Sequence, residues 1–496
     1  MRTPRSYSLA ALRVVVVIGA LLAGCSGGGD SAPGSDTGGT TPPPGGSSPT
    51  PTGPTGNIIF GRTTAGNDDL FLIKSDGTGA VTLAADAAAR ETFSQLSGSR
   101  VIYQKGPAGF SPRDIWGVNV DGSGAGALVN QPADEQARAV VNNVVVYESS
   151  ASLGSQRDLA TVGLDGSNPT PIPSNPVDDE YYVGTASGRI LYEQRTGAQT
   201  DLFSVLPNGT GTQPLGVGPD EEFFVGTIGS QVLFTRRTDP SSPFDLFVIN
   251  ADGTGGATPL GQTANSEVFA AVVGGRVVFQ RCLPMGGQCD LYSINPNGTG
   301  ETPLATSADN EFFDGAVGTR VLYTVDVGGQ TDLYSVDVTG GAPAPLATSN
   351  SNIYNEYSEG FVGNRVIFRQ EVGGQADLYS INADGAGGAV ALATAPERES
   401  FVGAIGDRAI FERLSSGSFS SPSDIYSRLA DGSAPQVPLA ITADDEEYQG
   451  AAAGRAIFER RTGTGPRDLF SIAPDGSGPA IPLGQTANDE FFITSF

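Results

Sequence analysis

The sequence predicts an all-β protein, a β-propeller of ten four-stranded antiparallel blades spanning residues 57–496. Three observations predict it. A unit of 42 to 47 residues recurs ten times, and each unit divides into four short strand-like segments. No window holds a sustained 3.6-residue period, so no substantial helix is expected. Four short strands in a period of about 44 residues are what a propeller blade requires.

The unit is plainest from Arg276 to Gly318, RVVFQRCLPMGGQCDLYSINPNGTGETPLATSADNEFFDGAVG. Its first segment is a continuous apolar triplet, Val277-Val278-Phe279, matched by Ile58-Ile59-Phe60, Val101-Ile102-Tyr103 and Ala456-Ile457-Phe458. Such triplets between polar residues indicate a strand buried on both faces. The second segment opens at an Asp followed by Leu or Ile and runs into Asn-Gly or Asp-Gly, as at Asn297-Gly298 and Asp384-Gly385. Those dipeptides supply the positive φ of a tight hairpin turn. The third is short, typified by Pro303-Leu304-Ala305, and the fourth sets aromatics before small residues, as in Phe312-Phe313-Asp314-Gly315-Ala316. Small residues suit the innermost strand, where blades approach most closely.

The segments DLYSINADG (377–385) and DLFVINADGTGGATPL (245–260) resemble the WD-like repeats of the TolB propeller family. The resemblance covers the whole repeat region. It departs from the family at the turn before the apolar strand, where the usual SPDG is replaced by sequences such as GAVGTR (315–320). It implies the strand order A (the Glu311 region), B (Val277), C (Asp290) and D (Pro303) within each blade. The repeat region starts in strand B at Ile58 and finishes in strand A at Glu490–Phe496, so the last strand is expected to complete the first blade and hide its edge. That register fits one closed ten-bladed ring and equally two five-bladed rings. Equally short inter-repeat loops and the lack of an inserted linker favour the single ring.

The chain before the repeats has a different composition. Arg2, Arg5 and Arg13 precede or begin an apolar run from Val14 to Ala23, too short to span a bilayer as a mature helix. Residues 1–24 therefore read as a signal peptide. Leu22-Ala23-Gly24-Cys25 resembles the lipobox of bacterial lipoproteins, which implies cleavage before Cys25 and a lipid on its thiol. Ser26 in the next position points to the outer membrane if the cell is Gram-negative. Residues 26–56, nearly all Gly, Ser, Pro, Thr and Asp, cannot bury enough apolar area to offset their conformational entropy. A tether of that length has a root-mean-square reach of about 30 Å. With the lipidated Cys25 it forms the segment 25–56, and the membrane is the partner it implies.

Charge and composition exclude several function classes. The chain has 28 basic and 54 acidic residues, a net charge of −26, and loss of the signal peptide removes three Arg and no acid. Nucleic acid is therefore not an expected partner, because its phosphates require basic patches. There is no His, which removes Ser-His and Cys-His nucleophiles and the commonest zinc ligand. Beyond Cys25 the only thiols are Cys282 and Cys289, which flank one B–C hairpin, so a disulfide is expected in this exported chain.

Aligned on their B strands, all ten units place a Glu at the start of strand A: Glu91, Glu135, Glu180, Glu222, Glu267, Glu311, Glu356, Glu399, Glu446 and Glu490. All ten likewise open strand C with an Asp: Asp69, Asp114, Asp158, Asp201, Asp245, Asp290, Asp332, Asp377, Asp424 and Asp468. The end of B carries Arg62, Lys105, Arg236, Arg281, Arg413 and Arg460 in one matching position, with Arg195 one place later. One reading is an acid–base–acid ladder over three neighbouring strands, with each cross-strand pair contributing about 0.2–1 kcal/mol. The other is an acidic rim at a channel mouth, joined by Asp178, Asp179, Asp220, Glu221, Asp309, Asp444, Asp445 and Asp489, that gathers cations such as calcium. Recurrence in every blade favours the structural reading, and no cofactor or catalytic residue is assigned.

The sequence thus points to a monomeric, lipid-anchored envelope protein whose propeller binds a protein or glycan. The alternatives are a glycoside-active enzyme using paired carboxylates, or a calcium-binding structural protein. The B–C loops 106–113, 149–157 and 414–423 depart most from the repeat. They are rich in Ser, Gly and Pro, as recognition loops tend to be.

Overall fold

The computed structural model describes residues 56–496 apart from 108–111, 153–154, 173–177, 285–286, 328, 349–354, 373–374 and 415–421. The expected export and lipidation signals, Cys25 included, and nearly all of the expected tether lie outside the described residues. So do parts of the three irregular B–C loops.

Forty strands form ten separate four-stranded antiparallel sheets, and no helix occurs among the described residues. Each sheet runs A-B-C-D in chain order, and the A strands of neighbouring blades pack together near the axis. Blade 1 is the exception in connectivity. Its B, C and D strands are Asn57–Thr64, Asn67–Lys74 and Val81–Ala84, while its A strand is Glu490–Ser495 from the far end. The seam is held by the ladder Ile58↔Ser495 to Arg62↔Glu490 and by reciprocal bonds between Asn57 and Phe496, at 2.9 and 3.0 Å.

The apolar triplets bury both faces of strand B. Val277 and Phe279 face blade 5, where they meet Leu233, Leu246 and Val248, while Val278 faces blade 7 and meets Val321 and Tyr323. Ten such clusters occur among the described residues, one for each pair of consecutive blades. Full burial of each Val, Ile, Leu or Phe contributes about 1.5–3 kcal/mol. The clusters also decide the ring count. Ile58, Phe60 and Ile73 of blade 1 pack on Ala452, Ile457 and Leu469 of blade 10, and blade 5 packs on blade 6. Two five-bladed rings would need blade 1 against blade 5, so the chain closes as one ring of ten.

Strand A carries a β-bulge in every blade, as between Phe313 and Gly315. In blades 4, 5, 7, 8, 9 and 10 a glycine at the bulge admits an aromatic ring of the next blade. A Cβ on Gly315 would lie 2.9 Å from the Phe361 ring, and the φ of 147° there disfavours any other residue. The Asn-Gly and Asp-Gly signals differ from the two-residue hairpin expected of them. Gly298 sits at φ 76° in a β-turn closed by its N–H on the Asn295 carbonyl, within a longer connection from Ile294 to Thr302. Asn297 then accepts the Thr299 N–H at 3.1 Å, so the side chain organises the extra length.

Candidate functional site

The recurring acids occupy one register line. In blade 6, Glu267 of strand A is opposite Arg281 of strand B, which is opposite Asp290 of strand C. The same alignment holds around the ring, from Glu490, Arg62 and Asp69 in blade 1 to Glu446, Arg460 and Asp468 in blade 10. In the remaining blades it joins Glu91 to Asp114, Glu135 to Asp158, Glu180 to Asp201 and Glu222 to Asp245. It likewise joins Glu311 to Asp332, Glu356 to Asp377 and Glu399 to Asp424.

Depth is where the structure departs from an open acidic rim. All ten glutamates are buried, none more than 1% exposed. Where the preceding blade's D strand ends in glycine, that end lies directly over the glutamate. A Cβ on Gly216 or Gly261 would stand 2.6 Å from the Cγ of Glu222 or Glu267. The carboxylate then closes its own D–A connection. Ser307 and Ala395 donate backbone N–H groups to Glu311 and Glu399 at 2.8 and 2.9 Å, and the Thr263 and Thr486 hydroxyls donate to Glu267 and Glu490 at 2.8 and 2.6 Å.

The strand B base completes the unit in six blades. Arg62, Arg236, Arg281, Arg413 and Arg460 place Nε 2.9–3.1 Å from the glutamate, and Lys105 stands 3.8 Å from Glu91. The same bases cover the strand C ring, with Arg281 4.5 Å from the Tyr292 centroid, Arg413 4.4 Å from Tyr426 and Lys105 4.7 Å from Trp116. Arg195 does not join this line. It pairs with Glu193 at 3.2 Å and covers Tyr181, leaving Gln194 opposite Glu180. Ser149, Val325 and Gln370 hold the position in blades 3, 7 and 8.

Burial raises the carboxyl pKa of Glu91, Glu135, Glu222, Glu267, Glu311, Glu356 and Glu399, and the Asp of the preceding blade adds to it. Glu135, with no base opposite, is pushed up to about 8 by burial and then by Asp114. Glu91, Glu222 and Glu399 rise to about 7 by burial, although the base opposite each pulls the other way. The aspartates are less deeply set. Asp69 is buried, Asp158 is exposed and the others lie between. Several are tied by a glutamine two residues earlier, as Gln288 to Asp290 and Gln375 to Asp377, at 3.0 and 2.9 Å.

Five of the eight extra acids next to the glutamates are engaged, Glu221 by Arg237 and four others as follows. Asp179, Asp445 and Asp489 accept backbone N–H groups of Arg157, Ser423 and Arg467 in the preceding blade, at 2.9–3.0 Å. Asp178 accepts from Gln194 at 3.0 Å. Among the described residues, no three acids or cysteines converge as a metal-ligand set.

Two further sets of inter-blade bonds escaped the sequence reading. The residue after the strand B aromatic is Glu in blades 3, 4, 9 and 10. Glu148, Glu193, Glu412 and Glu459 accept the N–H of Tyr182, Phe224, Tyr448 and Phe492 in the next blade's A strand, at 2.7–3.2 Å. The Tyr-Glu and Phe-Glu dipeptides were the available signal. At the opposite end, the Arg that opens strand B holds a strand C serine. Arg276 donates to the Ser293 hydroxyl at 3.0 Å, and that hydroxyl donates to the Val338 carbonyl of the next blade at 2.6 Å. Ser471 bonds the Ser75 carbonyl across the seam at 2.6 Å. The repeated serine of DLYS was the signal there. Cys282 and Cys289 are opposite one another in blade 6 and are joined as a disulfide.

No family model matches the chain, and no curated protein matches it. Among solved structures, it is similar to a chain from a structural study of two prolyl endopeptidases. The two are 17% identical with a TM-score of 0.33, over 76% of this chain. The match spans about half of that protein's length, 54%.

Proposed function

We propose that this chain is a non-catalytic binding or scaffolding module, a distant TolB-like propeller held at the cell envelope through a lipid on Cys25. The observation that carries the binding role is an apolar stripe on the inner strands. Val268, Phe312 and Tyr357 directly follow the buried glutamates of blades 6, 7 and 8, and are 43%, 44% and 36% exposed. Thr92, Gln136, Ser400 and Glu447 hold that position in blades 2, 3, 9 and 10. Phe491, Tyr181 and Phe223 hold it half-buried in blades 1, 4 and 5, so the exposed apolar side chains fall on the consecutive blades 6 to 8, and such a run is how partner surfaces are marked. The acids, by contrast, are occupied in joining blades, which supports a scaffold role for them, and the lack of His supports a non-enzyme.

The test is capture from detergent-solubilised envelope with the full chain and with Phe312→Ser. A partner held by the native chain and lost from the variant is expected. Equal capture by both, or hydrolysis of a glycan or ester by the purified protein, sinks the reading. Mass spectrometry of the N-terminal peptide, with Cys25→Ser as control, tests the anchor, and an unmodified thiol overturns it.

A further inference from the structure

Two blades set an arginine over the ring that follows the buried glutamate, and blade 7 sets an acid beside it. In blade 4, Tyr181 is opposite Glu193, and Arg195 stands two residues further along strand B, opposite Asp179. In blade 5, Phe223 and Arg237 hold the same two places. Residues two apart on a strand share a face, so each arginine reaches back over its ring. The Arg195 guanidinium lies 4.4 Å from the Tyr181 centroid, and the Arg237 guanidinium 5.5 Å from that of Phe223. Arg157 of blade 3 covers Tyr181 as well, at 5.1 Å. Both rings are half-buried.

Blade 7 keeps this register and reverses the charge. Phe312 is opposite Thr324, and Asp326 occupies the place of Arg195 and Arg237, opposite Asn310. Cys289, bound in the disulfide, occupies the place of Arg157. Phe312 is 44% exposed, and Asp326 is exposed too. Asp309, in the connection leading into strand A, adds a second carboxylate at this edge. Between residues 306 and 347 the one base is Arg320, which opens strand B at the opposite edge. The other blades differ. In blade 6 the pair is Val268 and Cys282, with neither ring nor charge. In blade 8, Arg369 already lies 5.6 Å from the Tyr357 centroid, and in blade 1 the Phe491 ring lies against Gly61 of strand B.

We propose that Phe312 and Asp326 form a docking surface for an arginine side chain of a partner protein. The guanidinium lies over the Phe312 ring and pairs with the Asp326 carboxylate, bringing from outside the cation that blades 4 and 5 supply themselves. Arginine suits the place better than lysine. All three internal covers are arginines, and a planar guanidinium stacks on a ring while its N–H groups bond a carboxylate. The inference rests on the binding reading above and names the partner's chemistry, a basic segment. A net charge of −26 draws such a segment in.

The experiment is equilibrium binding of a fluorescent Gly-Leu-Arg-Leu-Gly peptide and its neutral citrulline twin to the full chain, in about 0.15 M salt. The arginine peptide should bind, and the citrulline peptide about tenfold more weakly. Asp326→Arg installs the residue that blades 4 and 5 hold there, so the blade should fold with Phe312 covered from within. Its affinity for the arginine peptide should fall by about tenfold or more. Asp444→Arg, the same change of charge in the connection before blade 10, should leave that affinity unchanged. Equal binding of the two peptides, equal losses in the two variants, or no binding at all overturns the proposal. So does a dimer of the free chain that Asp326→Arg dissolves, which would make a second copy the occupant. If the envelope partner is lost from Phe312→Ser but kept by Asp326→Arg, the binding role stands and the arginine assignment fails.

Discussion

Blades 6 and 8 share a scaffold and differ in how they treat one buried charge. In blade 6, Glu267 receives Arg281 at 3.0 Å and the Thr263 hydroxyl at 2.8 Å, and Arg281 also bonds Glu301 at the surface. In blade 8, Glu356 receives only the neutral Gln370 amide among the described contacts, at 3.2 Å. Both glutamates are fully buried. The difference teaches that the repeated glutamate belongs to the blade-to-blade joint, while the base is an addition that neutralises it. A carboxyl can remain buried without a cation by holding its proton, and its raised pKa reflects that.

The sharpest way to break this comparison is to remove the base. Arg281→Met leaves Glu267 buried and unpaired and should cost about 3 kcal/mol in urea unfolding, against under about 1 kcal/mol for Gln370→Met. Equal losses would mean that the base does not neutralise the buried acid. Next in size is the pH effect at Glu135, whose folded pKa of about 8 lies above the ordinary 4.5. Between those values the folded chain holds a proton that the unfolded chain has released, so stability falls as pH rises through the interval. Glu135→Gln should therefore raise the melting temperature at pH 8 and leave it unchanged near pH 4. A rise of equal size at both would assign the effect to packing.

A smaller gain is expected from supplying the missing base. Gln370→Arg should stabilise blade 8 by about 0.5–1 kcal/mol through a cation–π contact and an ion pair. A loss would show that the preceding blade leaves no room for it. The smallest effect concerns metal. With no convergent ligand set among the described residues, the melting temperature should agree in calcium and in EGTA. A clear rise in calcium would return the aspartates to consideration as ligands.

The architecture was legible in the sequence because its cause is local. Apolar triplets such as Val277-Val278-Phe279 report burial on both faces, and the alignment of Glu267, Arg281 and Asp290 follows once the triplets are in register. Ring closure at ten was legible only in part, because five and ten blades share that register and short inter-repeat loops without a linker merely favour one ring. Only contacts between blades 1 and 10 and between blades 5 and 6 separate them. The depth of the glutamates was also hidden. Spacing places Glu222 at a strand end but does not say what covers it, and the cover comes from Gly216 of the preceding blade. Gly or Ala at the end of the short D strands was the clue. The serine–carbonyl bonds and the strand B glutamates were missed for the same reason, since their partners lie a full repeat away.

The seam at blade 1 has a consequence for how this protein comes into being. Strands Asn57–Thr64, Asn67–Lys74 and Val81–Ala84 emerge first during synthesis, yet their sheet lacks its axial member until Glu490–Ser495 arrives. Chains grow at about 5–20 residues per second, so that sheet waits roughly half a minute with an unsatisfied edge. Throughout that interval the nascent molecule is an open arc whose two ends can pair with the wrong copy. Holding the arc unfolded, or apart from its fellows, until the last strand appears is a requirement placed on the machinery that handles the nascent chain.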